Sequence, residues 1–345
     1  MINGRKLKVW LPYTQGGGGS DVFTHILAKG LRKRGIDAVE QPFAHHLQYV
    51  PWLLRKAVPP PGTDLTLTNT WNGLAFKRPG IKLVTVEHLF VLDPALRPYR
   101  SFAQGVFHQS LVRYFEHSSH RASEVQVAVS QYAANAHHRI LGNPKPRVIL
   151  NGIDTHFFTP PKEKNAPAAS RPFRLLFVGN LTRRKGVDLL PPIMDALGEG
   201  FELEYAAGLR TTRTLAGLKN ARNLGSLDHE QVRQAYRRAD VLLFPTRLEG
   251  FGYAAAEAMA CGTPVVATRV SSLPEVVQDG LTGVLCPVDD VGAFVSAIRT
   301  LARDKQRRMD MGRAARAWTV EHFDLDGMIG EYVRLCESLV RANAT

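Results

Sequence analysis

Short apolar segments that alternate with amphipathic helical patterns are the feature that most constrains the fold of this 345-residue chain. This alternation is typical of βαβ units, in which helices cover both faces of a parallel sheet. The predicted strands are LKVWLPY, DLTLTNT, IKLVTVEH, VQVAVS and RVILN in the first half, and FRLLFVGN, ELEYAAG, DVLLFPT, TPVVATR and GVLCP in the second. The sequence therefore predicts two doubly wound α/β domains.

The series of predicted strands is interrupted once, by the segment FTPPKEKNAPAASRPFR. Its content of Pro, Ala and Lys is typical of an extended linker. We predict an N-terminal domain over 1–160, a linker over 161–172 and a C-terminal domain over 173–324. Beyond about residue 290 the pattern is helical, and it ends in a predicted helix over 325–345.

Positive charge is concentrated in the first half of the chain. Residues 1–160 carry 19 Lys and Arg against 9 Asp and Glu, whereas the remainder carries 25 against 22. A basic surface of this kind can meet anionic lipid headgroups, a phosphorylated carrier or nucleic acid, or it can simply be solvated. The charge alone leaves these alternatives open.

The composition also bears on location and metal content. No segment approaches the twenty or so apolar residues that span a bilayer, and the N-terminus lacks a signal-peptide pattern, so we expect a cytoplasmic protein. Cys261, Cys286 and Cys336 lack metal-ligand spacing and should be reduced thiols packed as small hydrophobic side chains.

The loop after the first predicted strand contains four consecutive glycines, 16–19, which allow close backbone approach. Ser20 or Asp21 could cap the helix that follows. The loop fits an anion cradle, a sugar cradle or a plain flexible turn. The dinucleotide pattern GxGxxG fits poorly, because Ser-Asp-Val follows the glycines.

Two further strand ends carry candidate groups, since open α/β sheets bind ligands at the carboxyl ends of their strands. In FVGNLTRRKGVD, Lys185 with Arg183 and Arg184 could neutralise a diphosphate, although solvated cations would look the same. His88 ends the segment KLVTVEH and would face the ligand, although a histidine in this position is more often structural.

The stretch RLEGFGYAAAEAMACG holds the most informative pattern. It predicts a loop followed by a helix that ends at Gly262. Amides at residues 250–252 would bind phosphate oxygens, and Glu257, one turn inside the helix, could accept hydrogen bonds from a ribose diol. Glu249 in the loop would be free to touch whatever the phosphate carries.

In chain order, these segments resemble the retaining GT-B glycosyltransferases of the group-1 (family 4) superfamily. The similarity is densest over 172–323, in VGNLTRRKG, ADVLLFPTRLEGFGYAAAEAMACGTPVVAT, LPEVVQDGLTGVLCPVDD and the stretch from Trp318 to Phe323. GGSDVFTHILAKGLRKRG resembles the family's glycine loop, VTVEH its strand-end histidine and VILNGIDTHFF its passage into the linker. The spacing of Glu249 and Glu257 is the family's most specific sign.

The resemblance implies an α/β GT-B fold, in which two Rossmann-like doubly wound domains face a deep cleft. The N-terminal domain would bind the acceptor and the C-terminal domain the nucleotide sugar. The C-terminal helix, 325–345, would cross back to the N-terminal domain.

The resemblance also implies roles for individual residues. Glu257 would hold the nucleotide ribose, Glu249 would lie near the donor sugar, Lys185 would neutralise the leaving diphosphate, and His88 would contact the donor sugar. The catalytic candidates are thus Glu249, His88 and Lys185. The donor-binding candidates are Glu257, Lys185, Arg184, Arg183, Gly250, Phe251, Gly252, Tyr253, Gly179 and Asn180, and the glycine loop contributes Gly17, Gly18 and Gly19.

The chain departs from the family pattern in three places. Asn180 stands where an arginine is usual, so Arg183 or Arg184 would have to replace one diphosphate contact. Ser271 and Ser272 stand where glycines commonly precede LPEVV, and the acidic residue of the glycine loop is Asp21 rather than glutamate.

By this resemblance, we expect a retaining, metal-independent hexosyltransferase. It would move a hexosyl unit from a UDP- or GDP-linked sugar to a hydroxyl of a glycan or lipid-linked acceptor, in bacterial cell-surface polysaccharide or lipopolysaccharide synthesis. We expect no cofactor and no metal, and the DLD string at 324–326 is predicted to be linker and N-cap. The basic N-terminal domain could dock on the inner face of the plasma membrane.

Three other classes compete with a transferase. A GT-B sugar-nucleotide epimerase would share the nucleotide site but lack an acceptor surface. A non-catalytic nucleotide-sugar-binding protein would bind donor without turnover. A nucleic-acid-binding protein is suggested by the pI of about 9.9, but no recognition helix or aromatic-basic motif accompanies it, so we expect no nucleic-acid partner.

Overall fold

The chain divides into two compact units. One unit consists of Met1–Gly152 together with Asp326–Thr345, and the other of Ile153–Leu325. The computed structural model describes residues 5–89, 91–162, 171–207, 215 and 217–341. Most of the linker predicted over 161–172 lies outside these residues.

The compact units separate at residue 152, ahead of the domain end predicted at 160. The cause is a set of contacts that tie the segment after Gly152 to the second unit. The Ile153 amide donates to the Phe323 carbonyl at 2.7 Å. The Arg316 guanidinium donates to the carbonyls of Thr155 and Phe158 at 2.9 and 2.8 Å.

The first unit is built on a six-stranded parallel sheet of order β2-β1-β3-β4-β5-β6. Its elements are β1 Lys8–Gln15, α1 Gly19–Lys33, β2 Asp37–Ala44, β3 Leu65–Asn69, β4 Lys82–Glu87, α2 Phe102–Phe107, α3 Arg113–Ala122, β5 Val125–Ala128, α4 Gln131–Leu141 and β6 Arg147–Val148. A π-helical turn at His108–Val112 joins α2 to α3.

The second unit has a six-stranded parallel sheet of order β12-β11-β10-β7-β8-β9. Its elements are β7 Phe173–Gly179, α5 Leu190–Leu197, β8 Phe201–Ala207, β9 Ala221–Asn223, α6 His229–Arg238, β10 Val241–Phe244, α7 Tyr253–Ala260, β11 Val265–Thr268, α8 Leu273–Val276, β12 Gly283–Cys286, α9 Val291–Arg303 and α10 Lys305–His322.

Each sheet contains one strand that the sequence did not predict, β2 in the first unit and β9 in the second. Both are edge strands. An edge strand is partly solvated and does not need a continuous apolar run, so β2, with the sequence DAVEQPFA, lacks the pattern that marks a central strand. β9 has three residues and too little pattern to detect.

The last helix, α11 at Leu325–Arg341, packs on α1 of the first unit. The rings of Tyr332 and Phe23 lie 5.8 Å apart, and a Cβ added at Gly30 would come within 2.4 Å of Ile329. Asp324 directly precedes the helix, as the DLD string predicts, and its carboxylate accepts from the Thr155 hydroxyl at 2.5 Å.

The three cysteines are free and buried, which confirms that they pack as small hydrophobic groups. Burial raises the pKa of the Cys261, Cys286 and Cys336 thiols to about 12, so they stay protonated. Within the described part of the chain, every helix is too short or too polar to cross a bilayer.

Candidate active site

A buried ion pair joins two strand-end loops of the second unit. The ammonium of Lys185, in the turn after β7, donates to the Glu249 Oε1 atom at 2.5 Å in the loop after β10. The Thr246 hydroxyl donates to the same oxygen at 2.8 Å. Glu249 is 7% exposed, so the carboxylate depends on these donors rather than on water.

The electrostatics of this pair follow from burial and from its neighbours. Burial alone would raise the pKa of Glu249, but the charges of Lys185 and Arg184 and the hydrogen bonds from Lys185 and Thr246 hold it below the ordinary value. Burial lowers the pKa of the Lys185 ammonium, and the Glu249 carboxylate opposes this effect. Glu249 is therefore a stable carboxylate rather than a proton donor.

A clamp around Arg247 holds the two loops together. Its guanidinium donates to both oxygens of Asp188 at 2.7 and 3.0 Å and to Asp289 at 2.6 Å, and it also donates to the carbonyl of Arg183. Arg247 is 8% exposed, so its charge is satisfied within the protein. Sequence reasoning missed Arg247 and Asp188, and the signal present in the sequence was an arginine two residues before the predicted loop glutamate.

Gly186 allows the Lys185 turn to approach the β10 strand end. Its φ is 75°, and a Cβ at this position would lie 1.9 Å from the Pro245 carbonyl oxygen. Only glycine combines this backbone conformation with such an approach. The glycine after Lys185 is therefore required for the ion pair to form.

Two serines fix the backbone of the Glu249 loop from the next strand end. The Ser271 hydroxyl accepts from the Glu249 amide at 2.9 Å, and the Ser272 hydroxyl donates to the Glu249 and Phe251 carbonyls at 3.2 and 2.9 Å. Ser271 has a φ of 48°, the left-handed region that favours glycine. The side chains of Ser271 and Ser272 thus fix the backbone conformation of the Glu249 loop through these hydrogen bonds.

The start of α7 is shaped by Gly252, whose φ is 107° and where a Cβ would lie 2.8 Å from Leu273. The helix has no side-chain cap, so amide donors at its beginning are available to a ligand. Phe251 is buried between Tyr253 and Phe323, with ring centroids 5.5 Å away in each case. Gly250 lies between Glu249 and Phe251 in the same loop.

Glu257 lies one turn inside α7 and has a tyrosine partner that sequence reasoning missed. The hydroxyl of Tyr236, on α6, donates to Glu257 Oε2 at 2.9 Å. Burial raises the pKa of Glu257 to about 7, and the Tyr236 hydrogen bond opposes this rise. The second oxygen of Glu257, Oε1, has no hydrogen-bond partner among the described residues, so it can accept a hydrogen bond from a ligand hydroxyl.

The other predicted donor-site residues cluster after β7. Gly179 has a φ of 149°, and the Asn180 carbonyl accepts from the Thr182 amide at 2.8 Å. Arg184 Nη1 donates to the Leu248 carbonyl at 2.6 Å, so its guanidinium braces the loop. Arg183 is exposed, with Nε 3.8 Å from Asp188, and is the better placed of the two arginines to reach a ligand.

The remaining candidates lie in the first unit. The Gly17 amide donates to Asp21 Oδ2 at 2.6 Å, while α1 starts at Gly19 with Gly18 as its N-cap and without a side-chain cap. The expectation that Ser20 or Asp21 caps this helix is therefore wrong, because Asp21 bonds back to the loop.

His88 follows β4 and packs edge-on against Phe23, with ring centroids 4.6 Å apart. Burial lowers the pKa of its imidazole to about 4, so it is neutral at physiological pH. Next to it lies a buried cluster, not predicted from the sequence, in which ligand atoms of Glu87, Glu116 and His137 all lie within 4.8 Å of one another. These two carboxyl groups and the imidazole are close enough to one another to bind a single metal ion.

The two parallel sheets, with glycine turns and charged groups at their strand ends, define the GT-B fold class, and comparisons with solved structures agree. Sucrose-phosphate synthase from Thermosynechococcus elongatus superposes with a TM-score of 0.84 at 20% identity, over 98% of this chain and 100% of that one. Anabaena HepE in complex with UDP and glucose has a TM-score of 0.75 at 19% identity, over 96% and 100%. The predicted GT-B fold is confirmed.

Two family models match adjoining parts of the chain: Glycosyltransferase Family 4 at residues 41–157 and Glycosyl transferases group 1 at residues 159–318. The chain belongs to the group 1 glycosyltransferase family.

Curated relatives are similar over part of their length. The glycogen synthase of Mycobacterium tuberculosis strain H37Rv is 33% identical over 191 residues, which is 51% of this chain and 44% of the relative. The lipopolysaccharide core biosynthesis mannosyltransferase LpsB of Rhizobium meliloti is 32% identical over 216 residues, 56% of this chain and 61% of the relative. The chain spans about half the length of the curated relatives it matches.

Gly186→Ala tests whether the close approach at Pro245 builds the site. Gly142 has a similar left-handed backbone, with a φ of 71° and a ψ of 6° against 75° and 23° at Gly186, but open space around its Cβ position, so Gly142→Ala is the matched control. We expect the control to cost about 1 kcal/mol of unfolding free energy from backbone strain, and Gly186→Ala at least about 3 kcal/mol. Denaturant unfolding measures both, and equal losses would refute the steric argument.

Proposed function

We propose that this chain is a retaining glycosyltransferase that moves a hexosyl unit from a UDP- or GDP-linked sugar to a hydroxyl of a glycan or lipid-linked acceptor. We place the reaction in bacterial cell-surface polysaccharide or lipopolysaccharide synthesis. The buried Lys185–Glu249 pair beside the uncapped start of α7 carries the proposal. Anabaena HepE, which shares the fold, has been solved in complex with UDP and glucose, and this supports a nucleotide-sugar donor.

The main electrostatic task in such a transfer is to stabilise the departing diphosphate. Lys185 has three N–H donors and gives one to Glu249, which leaves others for a phosphate oxygen. The amides around Gly252 add donors that need no rearrangement during the reaction. Arg183, exposed after β7, supplies a further cation where the family's usual arginine is replaced by Asn180.

Glu257 is proposed to bind the ribose of the donor. Its Oε2 atom is oriented by Tyr236, while Oε1 remains for a ribose hydroxyl. A carboxylate is a stronger acceptor for such a hydroxyl than the protonated acid. Donor binding should therefore favour the ionised form of Glu257.

We propose that transfer proceeds with retention through attack on the same face that the diphosphate leaves. The bond from the anomeric carbon to the diphosphate oxygen breaks, the acceptor oxygen bonds to that carbon, and a phosphate oxygen takes the acceptor proton. Glu249 is a poor nucleophile for the competing double displacement, because Lys185 and Thr246 both donate to its Oε1 atom. His88 is proposed to contact the donor sugar as a neutral imidazole.

The proposed chemistry requires no metal, since Lys185, Arg183 and the α7 amides provide the positive charge.

The decisive experiment is a thermal-shift screen of UDP-, GDP- and ADP-sugars, followed by turnover with acceptor glycans, with and without a chelator. A ligand at a hundred times its dissociation constant should stabilise the chain by about 2.7 kcal/mol. Nucleotide release without acceptor product would instead indicate a hydrolase, and a changed donor sugar that is still linked to its nucleotide would indicate an epimerase. NMR of the product anomer tests retention.

Single substitutions should separate the proposed roles. Glu257→Ala and Lys185→Ala should each weaken donor binding about tenfold or more, through loss of a charge-assisted hydrogen bond. Glu249→Ala should mainly slow transfer. Calorimetry and initial rates measure these effects, with Glu321→Ala, an exposed carboxylate on α10, as the control.

Because Lys185 and Glu249 form one buried pair, Lys185→Ala alone leaves an unpaired buried carboxylate. The double variant Lys185→Ala with Glu249→Ala should recover thermal stability relative to Lys185→Ala, but not donor binding. Equal donor affinity in Glu257→Ala, Lys185→Ala, Glu249→Ala and the double variant would refute the assigned roles.

Donor affinity should depend on pH through Glu257. Its pKa is raised to about 7 by burial, so the carboxyl is protonated below that value and loses strength as an acceptor. The diphosphate of a nucleotide sugar does not titrate between pH 6 and pH 8. We expect about tenfold weaker donor binding at pH 6 than at pH 8, measured by calorimetry, and a flat profile in Glu257→Gln. The same slope in both proteins would contradict this role.

We further propose that the first unit docks on an anionic membrane to reach a lipid-linked acceptor. Phe102 is 89% exposed, and Val106 and Tyr114 are also exposed on the helical segment that runs from α2 to α3. The chain should sediment with phosphatidylglycerol vesicles but not with phosphatidylcholine vesicles, with binding lost at high salt. Phe102→Asp should reduce sedimentation. Binding that is absent, or unchanged at high salt, would overturn this proposal.

A further inference from the structure

Three side chains that can ligate a metal meet in the interior of the first unit. Glu87 ends β4, Glu116 lies on α3 and His137 lies on α4. Glu87 and Glu116 are each 2% exposed, and His137 is fully buried. The function proposed above uses none of these three residues, so their meeting needs a separate explanation.

The hydrogen-bond donors around the two carboxyl groups are too few for their oxygens. The Thr70 hydroxyl lies 3.2 Å from Glu87 Oε2 and 3.1 Å from Glu116 Oε1, but a hydroxyl has one hydrogen to donate. Glu116 Oε2 is buried and has no hydrogen-bond partner among the described residues. In the same part of the chain, neither carboxyl group forms an ion pair with a lysine or an arginine. Because buried charges in proteins are paired or bound to metal ions, the cluster lacks a positive partner.

The third member of the cluster, His137, is also suited to a metal. Its Nδ1 atom lies 3.6 Å from Glu87 Oε2. Burial lowers the pKa of its imidazole, and a metal binds the neutral ring. Asn143 Nδ2 lies 3.4 Å from His137 Nε2. A half-turn of this amide presents its oxygen to the Nε2–H group, which is the outer hydrogen bond that metal-bound imidazoles make.

The distances within the cluster match a small ion. One ligand atom of each residue lies within 4.8 Å of the ligand atoms of the other two. A tetrahedral zinc ion with bonds of about 2.0–2.1 Å separates its ligand atoms by about 3.3 Å, and the distance from His137 Nδ1 to Glu87 Oε2 is 3.6 Å. Small side-chain movements therefore complete the geometry.

The kinds of ligand atom indicate which ion the cluster binds. Two carboxylates and one imidazole, with a fourth position open, form a typical zinc ligand set. Ca²⁺ and Mg²⁺ prefer six or more oxygen ligands, including water, and do not need an imidazole. Glu87 and Glu116 also line a cavity of about 300 Å³, which gives an ion and its water a path to the cluster.

We propose that Glu87, Glu116 and His137 bind one Zn²⁺ ion inside the first unit. The ion supplies the positive charge that the carboxyl groups lack, and it joins β4, α3 and α4. Because an ion that binds the folded chain alone stabilises it, its role is structural. The inference does not depend on the proposed glycosyl transfer, whose cations belong to the second unit.

Zinc titration of the full, untagged chain tests this site. The chain is treated with a chelator, dialysed and titrated with ZnCl₂ by calorimetry, with MgCl₂ as the control ion. We expect one Zn²⁺ per chain, no binding of Mg²⁺, and a higher midpoint of thermal unfolding with zinc. No binding, or equal binding of Mg²⁺, would overturn the proposal, since protons on the carboxyl groups would then satisfy the excess of acceptors.

Zinc K-edge X-ray absorption on the zinc-loaded chain identifies the ligands, and it does not require a variant to fold. We expect one imidazole and oxygen ligands at about 2.0–2.1 Å, without sulfur. A sulfur ligand would assign the ion to a cysteine, and two or more imidazoles would assign it to histidines elsewhere. Either result would overturn the proposal.

Glu116→Gln removes one anionic ligand and keeps the shape of the side chain. We expect zinc affinity to fall about a hundredfold or more. The metal-free variant should unfold at no lower temperature than the metal-free parent chain, because a buried acceptor without a partner has been replaced by an amide. Glu321→Gln, at an exposed carboxylate on α10, is the matched control. Equal zinc affinity in the two variants would contradict the role of Glu116.

His137→Gln tests the imidazole in the same way. It should also bind zinc about a hundredfold more weakly. His46→Gln, at an exposed histidine of the same unit, is its control and should bind zinc like the parent chain. Zinc binding that is lost in His46→Gln and kept in His137→Gln would place the ion on the surface and refute the buried site.

Discussion

The ion pair between Lys185 and Glu249 is the interaction that organises the second unit's site. Two opposite charges taken out of water are costly unless hydrogen bonds satisfy them. Here Thr246 supplies one such bond, while Arg247 and Gly186 hold the two loops close enough for the pair to form. The loops are therefore preorganised, and the charged groups of the pair are held in position by the folded second unit.

The strand ends of the two parallel sheets carry different chemical groups. In the second unit, Lys185 and the uncapped start of α7 offer positive charge and amide donors at the strand ends. In the first unit, the corresponding edge carries Glu87, Glu116 and a glycine loop whose amide already bonds to Asp21. One edge thus carries positive charge and amide donors, whereas the other carries carboxyl groups and an amide that is already paired.

Much of the fold could be predicted from local pattern, because central parallel strands are buried on both faces and appear as apolar runs. The strands β2 and β9 escaped this reasoning because they are edge strands, which are partly solvated. The division at residue 152 could not be read from composition either. It depends on Arg316 and Ile153, whose partners lie far away in the sequence.

Local spacing was enough to specify the alternation of strands and helices and, through motifs such as Glu249 with Glu257, the family. Which groups are paired and which are left unpaired became known from the folded chain. Tyr236 bonds to Glu257, Arg247 lies between two loops, and unpartnered atoms of Asn72 and Glu116 meet in one pocket. Burial and long-range hydrogen bonds set these states, and neither is encoded in the spacing of neighbouring residues.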